Sequence, residues 1–321
     1  MLIPIVGHIY VFWHVWNIVP LHNWLKVILL VLLSLGFISL LVGFGAGLDK
    51  MPMPLATGVY EIGTSSVFVL LYAVMLFLLL DIGQLVHLVP KHFVYNSLLG
   101  TLTVLGVLLA VFVYGNIHYN NKVRQELHLN TSKHLDKPLK VVMISDLHLG
   151  YHNRRAEFSR WVDLINAERP DLVLIAGDII DISVRPLLEE SIAEEFRRIK
   201  VPIYACLGNH EYYSGDANAE KFYRDANINL LRDSVVQVMN LNLVGRDDRT
   251  NGRRASLKTL MGKVDPSKYT ILLDHQPYHL EEAEKAGIDF QLSGHTHYGQ
   301  VWPISWIEDA IYENAYGPLT K

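Results

Sequence analysis

Hydrophobic positions along this chain follow one rule up to about residue 115 and another after residue 140. In the first part they run almost without interruption. Four stretches, residues 2–20, 24–45, 66–89 and 93–115, approach the ~20 apolar residues that a bilayer-spanning helix needs. The first is rich in aromatics and carries His8, His14 and Asn17. The second opens on Lys26 and continues as an aliphatic run. The third is apolar through Leu80, then meets Asp81, Gln84 and His87 before Pro90 stops it. Trp13, Trp16, Trp24, Tyr95 and Tyr114 lie near the ends of these stretches and fit an interfacial belt. The pattern predicts four membrane-spanning helices.

Residues 116–138 are polar and lack sustained periodicity, which reads as a linker with a short helix near residues 121–127. Beyond Lys140 come short β-type runs, at residues 141–145, 172–176, 202–207, 270–273 and 290–293, each ending in a polar cluster. Helical patterns over 156–168, 186–200 and 217–225 separate the early runs. Strand–helix alternation with continuous apolar strands predicts an α/β sheet buried on both faces. In such sheets the site lies at the carboxyl ends of the strands, where every polar cluster stands.

Composition sharpens this division. Only 19% of the 321 residues are charged, against about 25% in an ordinary soluble domain. Residues 1–115 contain six charges (Lys26, Asp49, Lys50, Glu61, Asp81 and Lys91) that sum to zero, leaving 54 of the 60 for the other 206 residues. The reading is a membrane domain over 1–115, a linker over 116–138 and a water-soluble domain over 139–321. A net charge of −4 and a pI near 6.4 argue against nucleic-acid binding. The single cysteine, Cys206, forms no internal disulfide and is expected to pack in the core.

No Lys or Arg precedes Lys26, so residues 2–20 lack the basic start of a secretory signal. With four spans, both termini share a side with Lys50, Lys122 and Arg124, against Lys26 and Lys91 opposite. Three against two favours cytoplasmic termini in a cell (inner) membrane. Asp81 and His87 stand six residues apart, off a common helical face, and are expected to be structural.

The polar clusters carry the chemistry. Asp146, His148, Asp178, Asn209, His275, His295 and His297 are all oxygen or imidazole donors, a set suited to Mn²⁺, Zn²⁺ or Fe²⁺. Seven donors exceed the four of a structural zinc site and suit two ions that share a carboxylate. Gly177, Gly208 and Gly294 are expected to let the backbone turn where the strands deliver these ligands. Neither a G-x-S-x-G elbow nor a Walker loop occurs, so no serine nucleophile or P-loop is indicated.

The succession SDLHLG (145–150), AGD (176–178), GNHE (208–211), DHQP (274–277) and SGHTH (293–297) resembles the calcineurin-like metallophosphoesterases. Within them it is most similar to the membrane-associated bacterial branch related to YkuE and YaeI, some of whose members are UDP-2,3-diacylglucosamine pyrophosphatases. The resemblance spans residues about 139–303 and implies a four-layer αββα sandwich with a dinuclear centre. It implies that Asp146, His148 and His297 hold one divalent ion, Mn²⁺ first among the candidates. Asn209, His275 and His295 would then hold a second, with Asp178 bridging. It also implies that His210 touches the phosphate or protonates the leaving oxygen; Glu211 either orients His210 or faces solvent. The implied activity is hydrolysis of a phosphodiester or pyrophosphate by a metal-bridged hydroxide. Four spans exceed what a tether needs, which points to a lipid-linked substrate and contact with membrane lipid. The alternative is a membrane scaffold or sensor built on a phosphoesterase-like domain.

Arg154, Arg155 and His152 are placed near the first motif, as substrate contacts or as solvated loop residues. Tyr298 stands where the branch usually has glycine, either lining the mouth or packing locally. Related proteins generally continue one or two strands further, so the sheet edge near Lys321 is expected to be cut short or finished differently.

Overall fold

In a computed structural model, which describes residues 2–321, the chain divides into two compact units between His128 and Leu129. The first unit is helical: α1 (Leu2–Ile18), α2 (Asn23–Val42), α3 (Met53–Leu85), the single turn α4 (Lys91–Val94) and α5 (Leu98–Asn120). Three of these, α2, α3 and α5, are long and apolar enough to cross a membrane. The described α1 has 17 residues, about 25 Å at 1.5 Å per residue, short of a full span. Three helices thus replace the expected four, and the even count that put both termini on one side no longer applies. The third helix starts well ahead of its apolar run, at Met53, with Pro54 in its first turn, where a fixed φ favours initiation. Ser97 starts α5 by accepting the Gly100 N–H at 3.0 Å, and α5 runs on to Asn120. The short helix expected at 121–127 is absent: its two apolar residues, Val123 and Leu127, stay exposed, and so short a helix does not persist without packing.

The charges in this unit have local partners. Lys26 is buried and donates to the Trp16 carbonyl at 2.7 Å, near the last turn of α1 where carbonyls lack helical partners. Asp81 accepts from Tyr10 Oη at 2.6 Å and lies 3.1 Å from His14 Nε2, tying α3 to α1. His87 sits beyond the end of α3 with a φ of 62°.

The second unit follows the order β1 (Val141–Ile144), α6 (Arg155–Ala167), β2 (Leu172–Ala176), α7 (Arg185–Glu189), α8 (Ile192–Phe196) and β3 (Ile203–Cys206). Then come α9 (Asn209–Tyr213), α10 (Asp216–Asp225), β4 (Asn229–Leu230), β5 (Ser234–Val238) and β6 (Leu241–Gly245). It ends with α11 (Leu257–Met261), β7 (Tyr269–Leu273), α12 (Leu280–Ala286), β8 (Phe290–Leu292) and α13 (Ser305–Ile311). The first sheet is parallel throughout, in the order β1-β2-β3-β4. The second has the order β5-β6-β7-β8, with β5 antiparallel to β6 and the rest parallel.

Alternation along the strands builds the layers. Leu172 and Leu174 of β2 meet Leu241, Leu243, Ile271 and Leu273 of the second sheet in a core between the sheets, which also takes Cys206. Val173 and Ile175 face the other way, against Phe158, Val162, Phe196 and Phe222 of the helices. Val244 and Leu272 do the same on the far side, under Leu257, Leu260 and Ala283. The result is helix, sheet, sheet, helix, as expected.

Differences from the sequence reading are local. Residues 186–200 form two short helices, broken where Ser191 takes a left-handed φ of 53°. Strands β4, β5 and β6 emerge from a stretch with no strand assigned. The β5–β6 hairpin turns on Met239 and Asn240, both left-handed. The unit also reaches back into the polar connector. Leu135 and Leu139 pack on the core between the sheets, Lys133 pairs with Asp289 at 2.6 Å, and Lys137 pairs with Asp171 at 2.6 Å.

Candidate metal centre

The carboxyl ends of β1, β2, β3, β7 and β8 deliver their polar clusters to one place. Asp146, His148 and His297 form one group of donor atoms, and Asp178, His275 and His295 a second, each within 4.8 Å of one another. In the first, His148 Nε2 and His297 Nε2 are 3.0 Å apart, and Asp146 Oδ1 lies 3.5 Å from His297 Nε2. Asp178 Oδ2 stands between the groups, 3.7 Å from His148 Nε2 and 3.1 Å from His275 Nε2. Each group mixes residues from both sheets.

Backbone geometry at these positions is unusual. Asp146, His148, Asp178, His295 and His297 all have positive φ, between 41° and 74°. Left-handed backbone outside glycine costs of order 1–3 kcal/mol per residue and concentrates at functional sites. The glycines act differently from expectation. Of the three, only Gly177 has a positive φ, at 79°. A Cβ on Gly208 would lie 2.1 Å from Asp178 Oδ1, and one on Gly294 2.2 Å from Asp146 Oδ2. These two allow close approach of the carboxylates rather than a sharp turn.

Hydrogen bonds lock the donors. His275 is fully buried, and its Nδ1 donates to the Ala176 carbonyl at 2.7 Å, which leaves Nε2 facing Asp178. Asp146 accepts the His295 N–H at 2.9 Å, and Asp178 Oδ1 accepts the His210 N–H at 2.9 Å. Burial works to lower the His275 pKa, but the Asp178 carboxylate outweighs it and pushes it up to about 10. Burial would raise the Asp178 carboxyl, yet His275 and the neighbouring imidazoles hold it down to about 2.

Two buried atoms test the fit to a cation. His275 Nε2 meets only the Asp178 carboxylate, at 3.1 Å, and Asn209 Oδ1 at the start of α9 has no hydrogen-bond partner. Both are shut off from water. A buried donor or acceptor left in this state costs about 1–3 kcal/mol. An imidazole nitrogen and an amide oxygen beside carboxylates are the donors a divalent ion takes. The residues therefore fit a divalent metal.

Two acids that the sequence reading missed or misplaced support the site. Asp181 joins His148 and His210 in a third cluster of donor atoms. Its Oδ1 lies 3.1 Å from His210 Nδ1, and its carbonyl accepts from the same nitrogen at 3.1 Å. Burial lowers the His210 pKa, but the hydrogen bond to Asp181 outweighs it and the net direction is up. Glu211 neither faces solvent nor orients His210. It is fully buried and accepts the N–H groups of Gly208, Asp178 and Ile180 at 2.6, 3.1 and 2.9 Å. A lone acid inside a motif gives no sequence signal for such a role.

The flanking residues resolve as follows. Arg154 and Arg155 engage Glu190, with Arg155 also on Glu194 and Glu195, so both serve α7 and α8. His152 is exposed. Tyr298 donates to Asp309 at 3.2 Å and stacks on Tyr316 at 5.4 Å, which is local packing. With Tyr312 and Asn314 these residues line a cleft of about 190 Å³. Asp274 of the DHQP motif is buried between Arg246 at 3.3 Å and Arg254 at 2.9 Å.

Comparison with known proteins agrees with this arrangement. Residues 139–299 match the family model described as calcineurin-like phosphoesterase. A metallophosphoesterase of Helicobacter pylori is 31% identical over 176 residues, 53% of this chain and 48% of its own. One of Aquifex aeolicus is 31% identical over 188 residues, 56% of this chain and 71% of its own. A Bos taurus transmembrane protein with metallophosphoesterase domain is 32% identical over 187 residues, 52% of this chain and 42% of its own. The chain spans about half the length of the Helicobacter relative. Half of the chain matches the family model, and the matched half is the one that carries the converging donors. The chain belongs to the calcineurin-like phosphoesterase family.

Proposed function

We propose that this protein is a membrane-anchored, metal-dependent phosphohydrolase that cleaves a phosphodiester or pyrophosphate bond. The observation that carries the proposal is the pair of three-donor groups facing one another across Asp178 Oδ2, with Asn209 Oδ1 buried and without a hydrogen-bond partner beside them. Asp146, His148 and His297 would hold one divalent ion and Asn209, His275 and His295 a second, with Asp178 shared. Mn²⁺ heads the candidates because oxygen and imidazole donors are mixed and thiolates are absent from the set. When bound, such ions lower the pKa of water toward neutrality and offset charge on the phosphoryl group.

The chain's own residues supply the rest. Asp181 accepts the Nδ1–H of His210 and favours the imidazolium form, whose Nε2 proton is the one available to a phosphate or leaving oxygen. Glu211 holds the Gly208 and Asp178 backbone in place and keeps the Asp178 carboxylate oriented. Three membrane-capable helices exceed what a tether requires, which supports an amphiphilic, lipid-linked substrate. The Bos taurus relative, whose name joins transmembrane and metallophosphoesterase parts, supports the same organisation.

The test is hydrolysis by the purified chain, with Mn²⁺ added, of a model diester, a monoester, a nucleotide-sugar pyrophosphate and a lipid-linked pyrophosphate. Asp178→Asn is expected to abolish nearly all Mn²⁺-dependent turnover. Wild type inactive across metals and substrates, or full turnover in Asp178→Asn, would overturn the proposal.

A further inference from the structure

A surface helix normally buries its apolar stripe and turns its charges to water. Helix α13 does the reverse. At about 100° per residue, Trp306, Ile307, Ala310 and Ile311 share one arc of about 140°, while Ser305, Glu308 and Asp309 lie on the opposite side. The apolar arc is the one turned outward. Trp306 is 65% exposed, Ile307 59% and Ile311 57%, whereas Ser305 is 7% exposed and Glu308 is half-buried. Glu308 Oε2 is shut off from water and finds no hydrogen-bond partner among the described residues. Trp302 and Tyr316 extend the exposed surface, with the Trp302 ring edge-on to Trp306 at 5.4 Å. A single exposed leucine needs no explanation. Adjacent aromatic and aliphatic side chains turned outward, over polar ones folded inward, form a face that something covers.

Three observations select lipid as that cover. Tryptophan and tyrosine beside isoleucine are side chains that settle where headgroups meet acyl chains. No Lys or Arg stands between His297 and Lys321, and Asp309 is exposed, so the segment offers no positive charge to an anionic partner. The chain also has three helices long and apolar enough to cross a membrane, which keep a bilayer at hand. The same segment is fastened to the metal centre. Thr296, between His295 and His297, donates to the Ala315 carbonyl at 2.8 Å, and the Tyr312 ring lies 6.4 Å from the ring of His295.

We propose that the outward face of α13, together with Trp302 and Tyr316, docks on a bilayer of neutral phospholipid by inserting its apolar side chains, and so holds the metal centre beside the headgroups. This goes beyond the phosphohydrolase reading and makes no use of turnover.

The test places a nitroxide on Ile307→Cys in the 321-residue chain, reconstituted in phosphatidylcholine nanodiscs. Cys206 is fully buried and stays unlabelled. Leu164→Cys, at an exposed position of α6, carries the control label. Collisions with oxygen, which enriches in lipid, are compared with those of a water-soluble nickel chelate by electron paramagnetic resonance. The label at 307 is expected to favour oxygen and to lose most chelate collisions, and the label at 164 to behave as in water. Adding Trp306→Ser and Ile311→Ser, both at exposed positions, is expected to return chelate collisions at 307 to the level at 164. Circular dichroism checks that each variant is folded. Three results overturn the inference: a label at 307 as open to the chelate as the control, a label shielded from both reagents, which would mean cover by protein, and shielding that appears only with phosphatidylglycerol. The hydrolase reading stands or falls separately on the substrate panel.

Discussion

A carboxylate is held in place here by the side chain a glycine lacks. Asp178 Oδ1 occupies the space a Cβ at residue 208 would need, so Gly208→Ala must push Asp178 off its position or shift the strand ends. Overpacking of this kind costs about 1–3 kcal/mol. Gly208→Ala is expected to lower the unfolding free energy by that amount and to lose bound divalent metal, read by metal analysis after gel filtration. Gly252→Ala, where a Cβ meets nothing within 4 Å, serves as the control and should change neither. The motif residues were legible because each follows an apolar run and belongs to a residue type with few other uses at a strand end. Asp181 and Glu211 were not, since a single acid in a polar loop looks the same whether it is solvated or buried under three N–H groups.

Elements were readable in proportion to how continuous their apolar runs are. The strands ending at Ile144, Ala176, Cys206, Leu273 and Leu292 were found because their runs are mainly apolar: β2, β3 and β7 lie inside their sheets and are almost wholly buried, and the edge strands β1 and β8 are half-buried. β5 and β6 were missed. Gln237 and Asn242 interrupt their pattern, and Asn242 is buried only because its Nδ2 reaches Thr270 Oγ1 at 3.0 Å and the Asp265 carbonyl at 2.8 Å. The turn between them contains no glycine to announce it. The junction from β4 to β5 is pinned by Arg232, which binds Asp216 and Glu220 of α10, Tyr212 of α9, and Asp247. Burial works to raise the Asp247 carboxyl, but hydrogen bonds from Asn251, Arg232 and Tyr212 outweigh it and hold it below the ordinary carboxylate range. A depressed folded pKa contributes stability above the unfolded value, about 3.9, and that stability is lost as pH falls through the folded pKa. Arg232→Met removes part of the depression. Urea unfolding followed by circular dichroism is therefore expected to show Arg232→Met less stable than wild type at neutral and alkaline pH, with the difference narrowing as pH falls below about 3.9.

At the scale of the molecule, the second unit begins before its first strand. Leu135 and Leu139 cover apolar surface between the sheets, and Lys133 and Lys137 clip the same segment to Asp289 and Asp171. Partial burial of a leucine contributes about 1–2 kcal/mol. A piece comprising residues 129–321 is expected to exceed one comprising 139–321 by about 2 kcal/mol in urea unfolding, the ion pairs adding little. Equal stabilities would mean the segment only lies against the domain.

Both donor groups take residues from both sheets, and Asp146 and His295, joined by a hydrogen bond, are 149 positions apart in the chain. A cation gripped by such a set behaves as a rivet driven after the plates have been brought together. It cannot template the early collapse of the chain, as a metal does in a zinc finger whose ligands are neighbours. Metal capture belongs to the last stage of maturation, and its benefit falls on the exit from the native state rather than on the entry. Chelation is therefore expected to speed unfolding of the second unit while leaving its refolding rate nearly unchanged in stopped-flow fluorescence. In a cell, a newly made copy would be complete in shape before it is loaded, and would then grow harder to take apart.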